Sequence, residues 1–426
     1  MIKSMEIVKL FNRFDYNIEL KSDGVTIITG PNGFGKSTIL KIIDAVSRKD
    51  ISFFLRLDFD SIRINFSNNR KVSIEKTKDN TLIFDGNKIE LSLGQLGHRH
   101  VPWIQQISPN TWIDVRTNMR ISNDELPFYN FLSNNIEYDI SDIHYFNKKY
   151  TEGDIKKLKQ KLENMSKWSG SVRLISEQRL IKKELGRMDE DQIIDVITEL
   201  PQKLKREISQ VSEEYSRVAN QLDGSYPSRL FNTKDGLKDS IEYNEKLEEA
   251  NKKFEKLNKY KLVDMQLIDE LNYDEKHSTA LKIYFDDFSK KYTVFEDLIV
   301  KMDLFTKIIN DRLAFKKIVI SQQNGFEVVD TDFSDKNLKL NQLSSGEKQE
   351  IVLFYELIFD TKSDLLLLID EPEISLHITW QQKFLDDLLK VVEKTKNLQV
   401  IVSTHSPQII GDHWDIQIDL GELYGK

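Results

Sequence analysis

The sequence predicts an α/β fold. A parallel-sheet core carries an antiparallel β-subdomain and a helical, short coiled-coil insertion. Three observations point there. A β-rich run, Val25–Thr29, leads straight into a glycine loop and then into a helical apolar pattern. A second apolar run, Leu365–Ile369, ends in two adjacent acids. Between them lies a long charged stretch with apolar residues at spacings of three and four, the period of an amphipathic helix.

Composition sets limits on function. A chain of 426 residues can form one large domain or two. Lys+Arg 61 against Asp+Glu 69 leaves a net charge of -8, which argues against a uniformly basic nucleic-acid coat but not against a local basic patch. There is no cysteine, so disulfides and a cysteine-based zinc site are excluded and the cytoplasm is the expected location. The start, MIKSMEIVKLF, lacks the apolar core and small-residue cleavage site of a signal peptide. No stretch approaches about 18 uninterrupted apolar residues, so no membrane span is expected.

In chain order, Met5–Phe11 reads as a strand, Asn12-Arg13-Phe14 as a turn and Tyr16–Leu20 as a return strand. Arg13 lies close enough in sequence to the glycine loop to be a nucleotide contact. Gly30–Ser37 reads GPNGFGKS, a full match to the phosphate-binding pattern G-x-x-x-x-G-K-[ST]. Strand, glycine loop and helix are the context that pattern needs. Backbone N–H groups of Asn32, Gly33 and Gly35 can curve around an anion, and the helix N-terminus adds a favourable field. Lys36 is expected to reach the β- and γ-phosphates, Ser37 to ligate Mg²⁺, and Thr38 to contact the nucleotide.

Ile62–Phe66, Lys71–Glu75, Thr81–Phe84 and Lys88–Leu91 read as short strands of an antiparallel sheet, with turns at Asn68-Asn69 and Asp85-Gly86. The stretch from Gly94 to about Lys149 has no clear period, and His98, His100 and His144 in it lack metal-site spacing. Val172–Ser176 is a compact strand followed by Glu177-Gln178-Arg179. The strand end places Gln178 or Arg179 on the ligand edge of an α/β sheet.

Leu204, Ile208, Val211, Tyr215, Val218 and Leu222 form a helical seam. Asp223–Pro227 reads as a break, and Leu237, Ile241, Leu247, Ala250, Phe254 and Leu257 mark a second helix, together suggesting an antiparallel arm. Leu262–Leu271 and Ala280–Leu304 continue the helical pattern. Lys317–Ser321 and Phe326–Val329 then flank an Asn-Gly turn, a hairpin signal.

Leu343–Gln349, LSSGEKQ, opens another helix and exposes N–H groups near Ser345 and Gly346. Leu365–Ile369 suits a strand buried on both faces. Asp370 at its end is costly to bury unless it meets a cation, and it is the expected Mg²⁺ acid. Glu371 is expected to polarise an attacking water. Leu398–Val402 is a further buried strand, and it delivers His405 to the same edge, where it can contact or sense a γ-phosphate.

These motifs together resemble the ABC-type ATPases, a group of P-loop NTPases. The likeness is greater to their soluble branch of chromosome-maintenance, double-strand-break repair and OLD-like ATPases. The resemblance implies a head of two lobes, residues 1–180 and 313–426, with a helical or coiled-coil insertion at 181–312. It makes LSSGEKQ the signature loop, Asp370 and Glu371 the Walker B and catalytic acids, and Ser375-Leu376-His377 the D-loop. Gln178 becomes the Q-loop glutamine, contacting nucleotide and Mg²⁺, and His405 the switch histidine. Asn12-Arg13-Phe14 is similar to the nucleotide-contacting turn of that branch. In the family two subunits join head to tail, so Ser345 and Gly346 would act in trans on ATP held at Lys36, with larger oligomers open.

EPEISLH followed by THSP is especially similar to the OLD-like group. OLD-like nucleases continue into a Toprim domain, and none is expected in this protein. The architecture therefore resembles stand-alone ATPases of anti-phage systems, the PARIS type above all. That implies a separately encoded effector, expected to be a Toprim-type nuclease, and a phage-encoded trigger. Two alternatives stay open at this level: a repair or recombination ATPase binding DNA ends, and an ATP-gated assembly module with little turnover.

Overall fold

The computed structural model describes residues 1–21, 24–48, 50–78, 81–89, 104–108, 111–114, 119–122, 171–176, 179–185, 191–263, 273–332, 336–361, 363–374 and 376–424. The N-terminal elements are β1 (Ile2–Leu10), β2 (Phe14–Glu19), β3 (Val25–Thr29), α1 (Lys36–Arg48) and α2 (Ile51–Arg56). Strands β4 (Ser61–Phe66), β5 (Lys71–Lys76), β6 (Leu82–Phe84), β7 (Asn87–Ile89), β8 (Ile104–Ser108), β9 (Thr111–Asp114) and β10 (Met119–Ser122) follow. Next come β11 (Ser171–Ile175), β12 (Ile181–Leu185) and β13 (Asp191–Asp195), then the helices α3 (Leu200–Asn232), α4 (Ser240–Lys259) and α5 (Ser278–Asn310). The chain continues through β14 (Lys316–Ser321), β15 (Gly325–Asp330), β16 (Asn337–Leu338), α6 (Ser345–Ile358), β17 (Leu365–Asp370) and α7 (Ile378–Lys394). It ends with β18 (Gln399–Ser403), α8 (Pro407–Ile410), β19 (Gln417–Asp419) and α9 (Leu420–Tyr424). Two units result: Met1–Ile194 with Thr361–Lys426, and Asp195–Asp360.

The first unit is built on a five-stranded sheet ordered β11-β17-β18-β3-β19, with parallel pairing throughout. All six residues of β17 and all five of β3 and β18 are buried. That is why these strands read as unbroken apolar runs: a parallel sheet is covered on both faces. A second sheet, ordered β2-β1-β4-β5-β6-β7, is antiparallel, as expected. Its inward residues, among them Ile7, Ile18, Ile62 and Ile74, share one core with Leu366, Leu368 and Ile401 of the parallel sheet. Helix α1 belongs to that core. Ile39, Leu40, Ile42, Ile43, Ala45 and Val46 are all buried, more of its circumference than a surface helix commits. Burying each of its large aliphatic side chains stabilises the unit by about 1.5–3 kcal/mol.

The uncharacterised stretch after Gly94 contributes a small antiparallel sheet, β10-β9-β8. His98, His100 and His144 lie outside the described residues, as does most of Leu262–Leu271.

In the second unit the expected break at Asp223–Pro227 does not occur. Helix α3 runs unbroken to Asn232, with Pro227 inside it. A proline there removes one backbone donor and crowds the preceding turn. Side chains add bonds to the turn before it. Arg229 Nη2 and Ser225 Oγ donate to the Leu222 carbonyl at 2.7 and 3.0 Å. The same guanidinium grips Asp287 of α5 through two bonds of 2.5 and 2.6 Å. The chain leaves helical geometry only at 233–239, where Asp239 caps α4 by accepting from the N–H groups of Ile241 and Glu242. With α5, where the helical pattern of Ala280–Leu304 continues as expected, the two arm helices become three. Helix α5 packs along both others, through Tyr215 on Phe295 (5.2 Å between ring centroids) and Phe254 stacked on Phe288 (4.2 Å). Ile241, expected in the α4 seam, is 67% exposed.

The hairpin β14–β15 forms in the register Ser321↔Gly325. Gly325 has φ +70°, and a Cβ there would lie 1.9 Å from the Pro201 carbonyl oxygen at the start of α3. Only glycine fits this contact.

Candidate functional site

The phosphate loop joins β3 to α1, and Gly30, Gly33 and Gly35 all take positive φ. Strand β1 presses on it from behind: a Cβ at Gly35 would come within 2.9 Å of Leu10 Cδ2. The Tyr16 hydroxyl donates to the Phe34 carbonyl at 2.8 Å and fixes the loop on β2. Asn32 and Gly33 are exposed at its tip, and Ser37 and Thr38 are half-buried in the first turn of α1. Lys36 is buried, and its Nζ donates to the carbonyls of Gly30 (2.9 Å) and Pro31 (3.2 Å). Burial pushes the Lys36 ammonium below the usual lysine range, while Glu371, Glu373, Asp370 and Asp419 pull it back up.

Asp370 ends β17 opposite Ser403 of β18. Its Oδ1 accepts from Ser37 Oγ at 2.8 Å and from the Ser403 hydroxyl. A serine hydroxyl and a carboxylate oxygen brought together beside a phosphate loop form a hard-oxygen donor pair suited to Mg²⁺. Glu371, the next residue, has φ +46°, a left-handed conformation that costs a non-glycine residue about 1–3 kcal/mol. Two contacts hold it there. Its N–H donates to the Ser403 carbonyl at 2.9 Å, and buried Arg179 reaches the carbonyls of Glu371 and Pro372 at 3.5 and 3.4 Å. Arg179 thus stands behind the acid rather than on the open ligand edge.

His405 follows β18 and bridges the lysine and the acid. Its Nδ1 is 3.2 Å from Lys36 Nζ, and its Nε2 is 3.4 Å from Glu371 Oε1. An ammonium only donates, so Nδ1 accepts and the ring proton sits on Nε2, facing Glu371. Lys36, Ser37, Asp370, Glu371 and His405 are therefore gathered around one loop. The set can receive a polyphosphate, hold a divalent cation and orient a water.

Gln178 lies outside the described residues. Arg13 packs over the rings of Phe14 (5.4 Å) and Tyr424 (5.6 Å), with Nε 3.3 Å from the Tyr424 hydroxyl. The hydrogen bond to Tyr424 raises its guanidinium above the usual arginine value. Tyr424 in turn packs edge-on to Phe34 of the phosphate loop, at 5.9 Å. Ser345 is exposed and Gly346 half-buried at the start of α6, in the second unit. Ser344 caps that helix through a reciprocal pair with Glu347. Of the D-loop segment, Ser375 lies outside the described residues, and His377 caps α7.

Three residues near the site escape a reading by motif. Asp419 accepts from Thr29 Oγ1 (3.0 Å) and ties β19 to the strand before the loop. Tyr424 covers Phe34 from the far end of the sequence. Glu373 sits in plain view within the acidic cluster, but its partners lie some thirty positions later and no local pattern announces them.

A family model for the AAA ATPase domain matches residues 1–410. Comparison with curated proteins returned no match. Among solved structures, the chain is similar to the Smc head domain of Pyrococcus furiosus, with an extended coiled coil and bound to the C-terminal domain of ScpA. That match has 13% identity, covers 96% of this chain and 90% of the other, and has a TM-score of 0.36. The SMC head domain from Thermotoga maritima gives 14% identity, 96% and 92% coverage and a TM-score of 0.35. The recombination mediator protein RecF gives 12% identity, 99% and 96% coverage and a TM-score of 0.31. Overlays at this level add nothing to the assignment, which rests on the family match. Since that match spans nearly the whole sequence, including every motif gathered around the phosphate loop, the chain belongs to the AAA ATPase domain family and is an ATP-hydrolysing P-loop NTPase.

Proposed function

We propose that the protein is an ATP-gated scaffold. Two copies join head to tail, and the Ser345–Gly346 helix start of one completes the phosphate site of the other. The observation that carries this is the convergence of Lys36, the Ser37–Asp370 pair, Glu371 and His405 on one loop, while Ser345 stands exposed at a capped helix start in the other unit. An exposed helix start of that kind supports contact with an anion.

In this reading Lys36 leaves its loop carbonyls for the β- and γ-phosphates. Asn32, Gly33, Gly35 and Thr38 line the cradle, and Arg13 and Gln178 add contacts to the nucleotide. Ser37 and Asp370, with Gln178, hold Mg²⁺, which when bound supplies neutralising charge for the phosphates. Glu371 orients and polarises the water, and His405 registers the γ-phosphate through the proton on Nε2.

ATP-dependent closure changes what a bound partner meets. The EPEISLH and THSP segments support an effector in trans, in the manner of cytoplasmic anti-phage ATPases of the OLD-like and PARIS type. A Toprim-type nuclease would be the effector, released by a phage-encoded trigger. The family match is to the ATPase domain and is equally compatible with a repair or recombination ATPase that binds DNA ends. Steep loss of ATP-dependent duplex binding with added salt would favour that second output.

The shared site is tested by mixing two inactive variants, Lys36→Ala and Ser345→Arg. Their heterodimer contains one doubly damaged site and one intact site, so turnover returns on mixing. No recovery, with both variants folded, overturns the head-to-tail site.

A further inference from the structure

Strands β17 and β18 run side by side and release their chains at the same edge of the sheet. Each exit carries one reacting side chain, Glu371 on the first and His405 on the second. Glu371 lies on a strained turn, and His405 on a loop whose N–H groups point beyond the last strand pairing. The sheet holds the root of each exit, through Glu371 N–H to the Ser403 carbonyl (2.9 Å) and Thr404 N–H to the Ile28 carbonyl (3.1 Å), but not the residues beyond.

The two exits are joined by a third acid. A single oxygen of Glu373, Oε1, accepts from the Thr404 hydroxyl at 2.7 Å, the His405 N–H at 2.8 Å and the Ser406 N–H at 3.2 Å. Successive backbone N–H groups turned to one side make a concave anion site, and here the anion is a side chain of the same protein. One residue, Pro372, separates Glu373 from Glu371, and its ring restricts the backbone between them. The carboxylate that grips the histidine loop therefore stands at a nearly constant offset from the candidate catalytic acid. A further tie, Ser406 Oγ to Gln381 Oε1 at 2.7 Å, holds the far end of the loop on α7.

We infer that Glu373 is a positioning residue that locks the His405 loop to the Glu371 turn, so that both side chains face the same γ-phosphate. The inference rests on the roles given to Glu371 and His405 above. Without Glu373, two backbone donors and one hydroxyl lose their shared acceptor, and the imidazole is left to its own 3.4 Å contact with Glu371 Oε1. The ATP cradle itself, from Gly30 to Thr38, makes none of these three bonds. The expected defect is in the chemical step, with nucleotide binding spared.

The geometry also predicts which replacement succeeds. All three bonds end on Oε1, while Oε2 is buried with no hydrogen-bond partner among the described residues. A glutamine can place its carbonyl at the Oε1 position and keep all three bonds, in weaker, uncharged form. Alanine keeps none.

Single-turnover hydrolysis, with full-length protein in excess over ATP, tests this alongside equilibrium binding of a fluorescent ATP analogue. Glu373→Ala is expected to slow hydrolysis about 10–100-fold, the loss typical of outer-shell positioning groups, with analogue affinity changed less than about threefold. Glu373→Gln should recover most of the rate. Because Glu373 acts through His405, the double variant Glu373→Ala/His405→Ala should be no slower than His405→Ala alone.

A wild-type rate in Glu373→Ala, multiplicative losses in the double variant, or parallel loss of analogue binding each overturns the inference; the last would mark a merely structural residue. Wild-type turnover by Glu371→Gln would instead overturn the assignment of the catalytic acid beneath it.

Discussion

Lys36 Nζ and His405 Nδ1 lie 3.2 Å apart, although 369 positions separate them in the chain. The lysine is held by its own loop carbonyls and by the histidine. ATP has to draw it away from all three. Lys36→Ala removes the ammonium expected to pair with phosphate charge. ATP affinity is expected to fall by roughly 10–100-fold, the equivalent of one charged hydrogen-bond set, as measured by titration with a fluorescent analogue.

Glu371 occupies a left-handed conformation that its surroundings impose. Glu371→Gln keeps that backbone and the shape of the side chain but removes the proposed base. Hydrolysis is expected to drop by about 10²–10⁴-fold with ATP binding retained. The ATP-loaded variant should accumulate as a dimer in a mass measurement. A monomer under saturating ATP would count against the shared site.

Arg229 stabilises helix α3 across Pro227 and pairs with Asp287, which is only 9% exposed at its side chain. Arg229→Ala leaves that carboxylate without its partner and the Leu222 carbonyl with one donor fewer. A loss of about 3 kcal/mol in the second unit is expected by denaturant unfolding. Replacing Pro227 by alanine in the wild-type protein should stabilise α3, since it restores a backbone donor.

Glu347 caps α6 and accepts from Lys316 Nζ at 2.8 and 3.0 Å. Burial pulls its carboxyl upward, but the hydrogen bonds from Lys316 and from the Ser344 N–H outweigh this and leave it below the usual glutamate value. A carboxylate lowered on folding adds stability above its unfolded pKa, and that stability is lost as pH falls through the folded value. Helix α6 should therefore loosen under acid. Glu347→Gln, at a cost of about 1 kcal/mol at neutral pH, should flatten that dependence in hydrogen exchange of α6 amides.

Much of the site was legible in sequence because its parts are local. Gly30–Ser37 needs only its own glycines and the flanking strand and helix. Leu365–Asp370 announces itself because burial on both faces demands an unbroken apolar run. The reading stopped where distant partners decide the outcome. Gly224 and Pro227 signal a break by every local rule, yet Arg229 and Asp287, 58 positions apart, carry the helix through. Glu373 looks like one more surface acid until Thr404–Ser406 is folded against it. Arg179 was placed near the ligand by its strand end, but whether it faced the nucleotide or the back of Glu371 depended on a turn formed almost two hundred residues later.

Helix α1 carries Lys36 and Ser37 on its first turn and is walled in by two sheets on its remaining length. A handle set so deep has no room to tilt. Opening its amides to solvent means dismantling the unit that contains it, so Ile39–Val46 should exchange at the rate of global unfolding. Any rearrangement driven by the γ-phosphate must then be expressed through the chain ends that emerge from β17 and β18. The cradle acts as the fixed jaw of a vice, and the few residues on either side of Glu371 and His405 are where movement is expected.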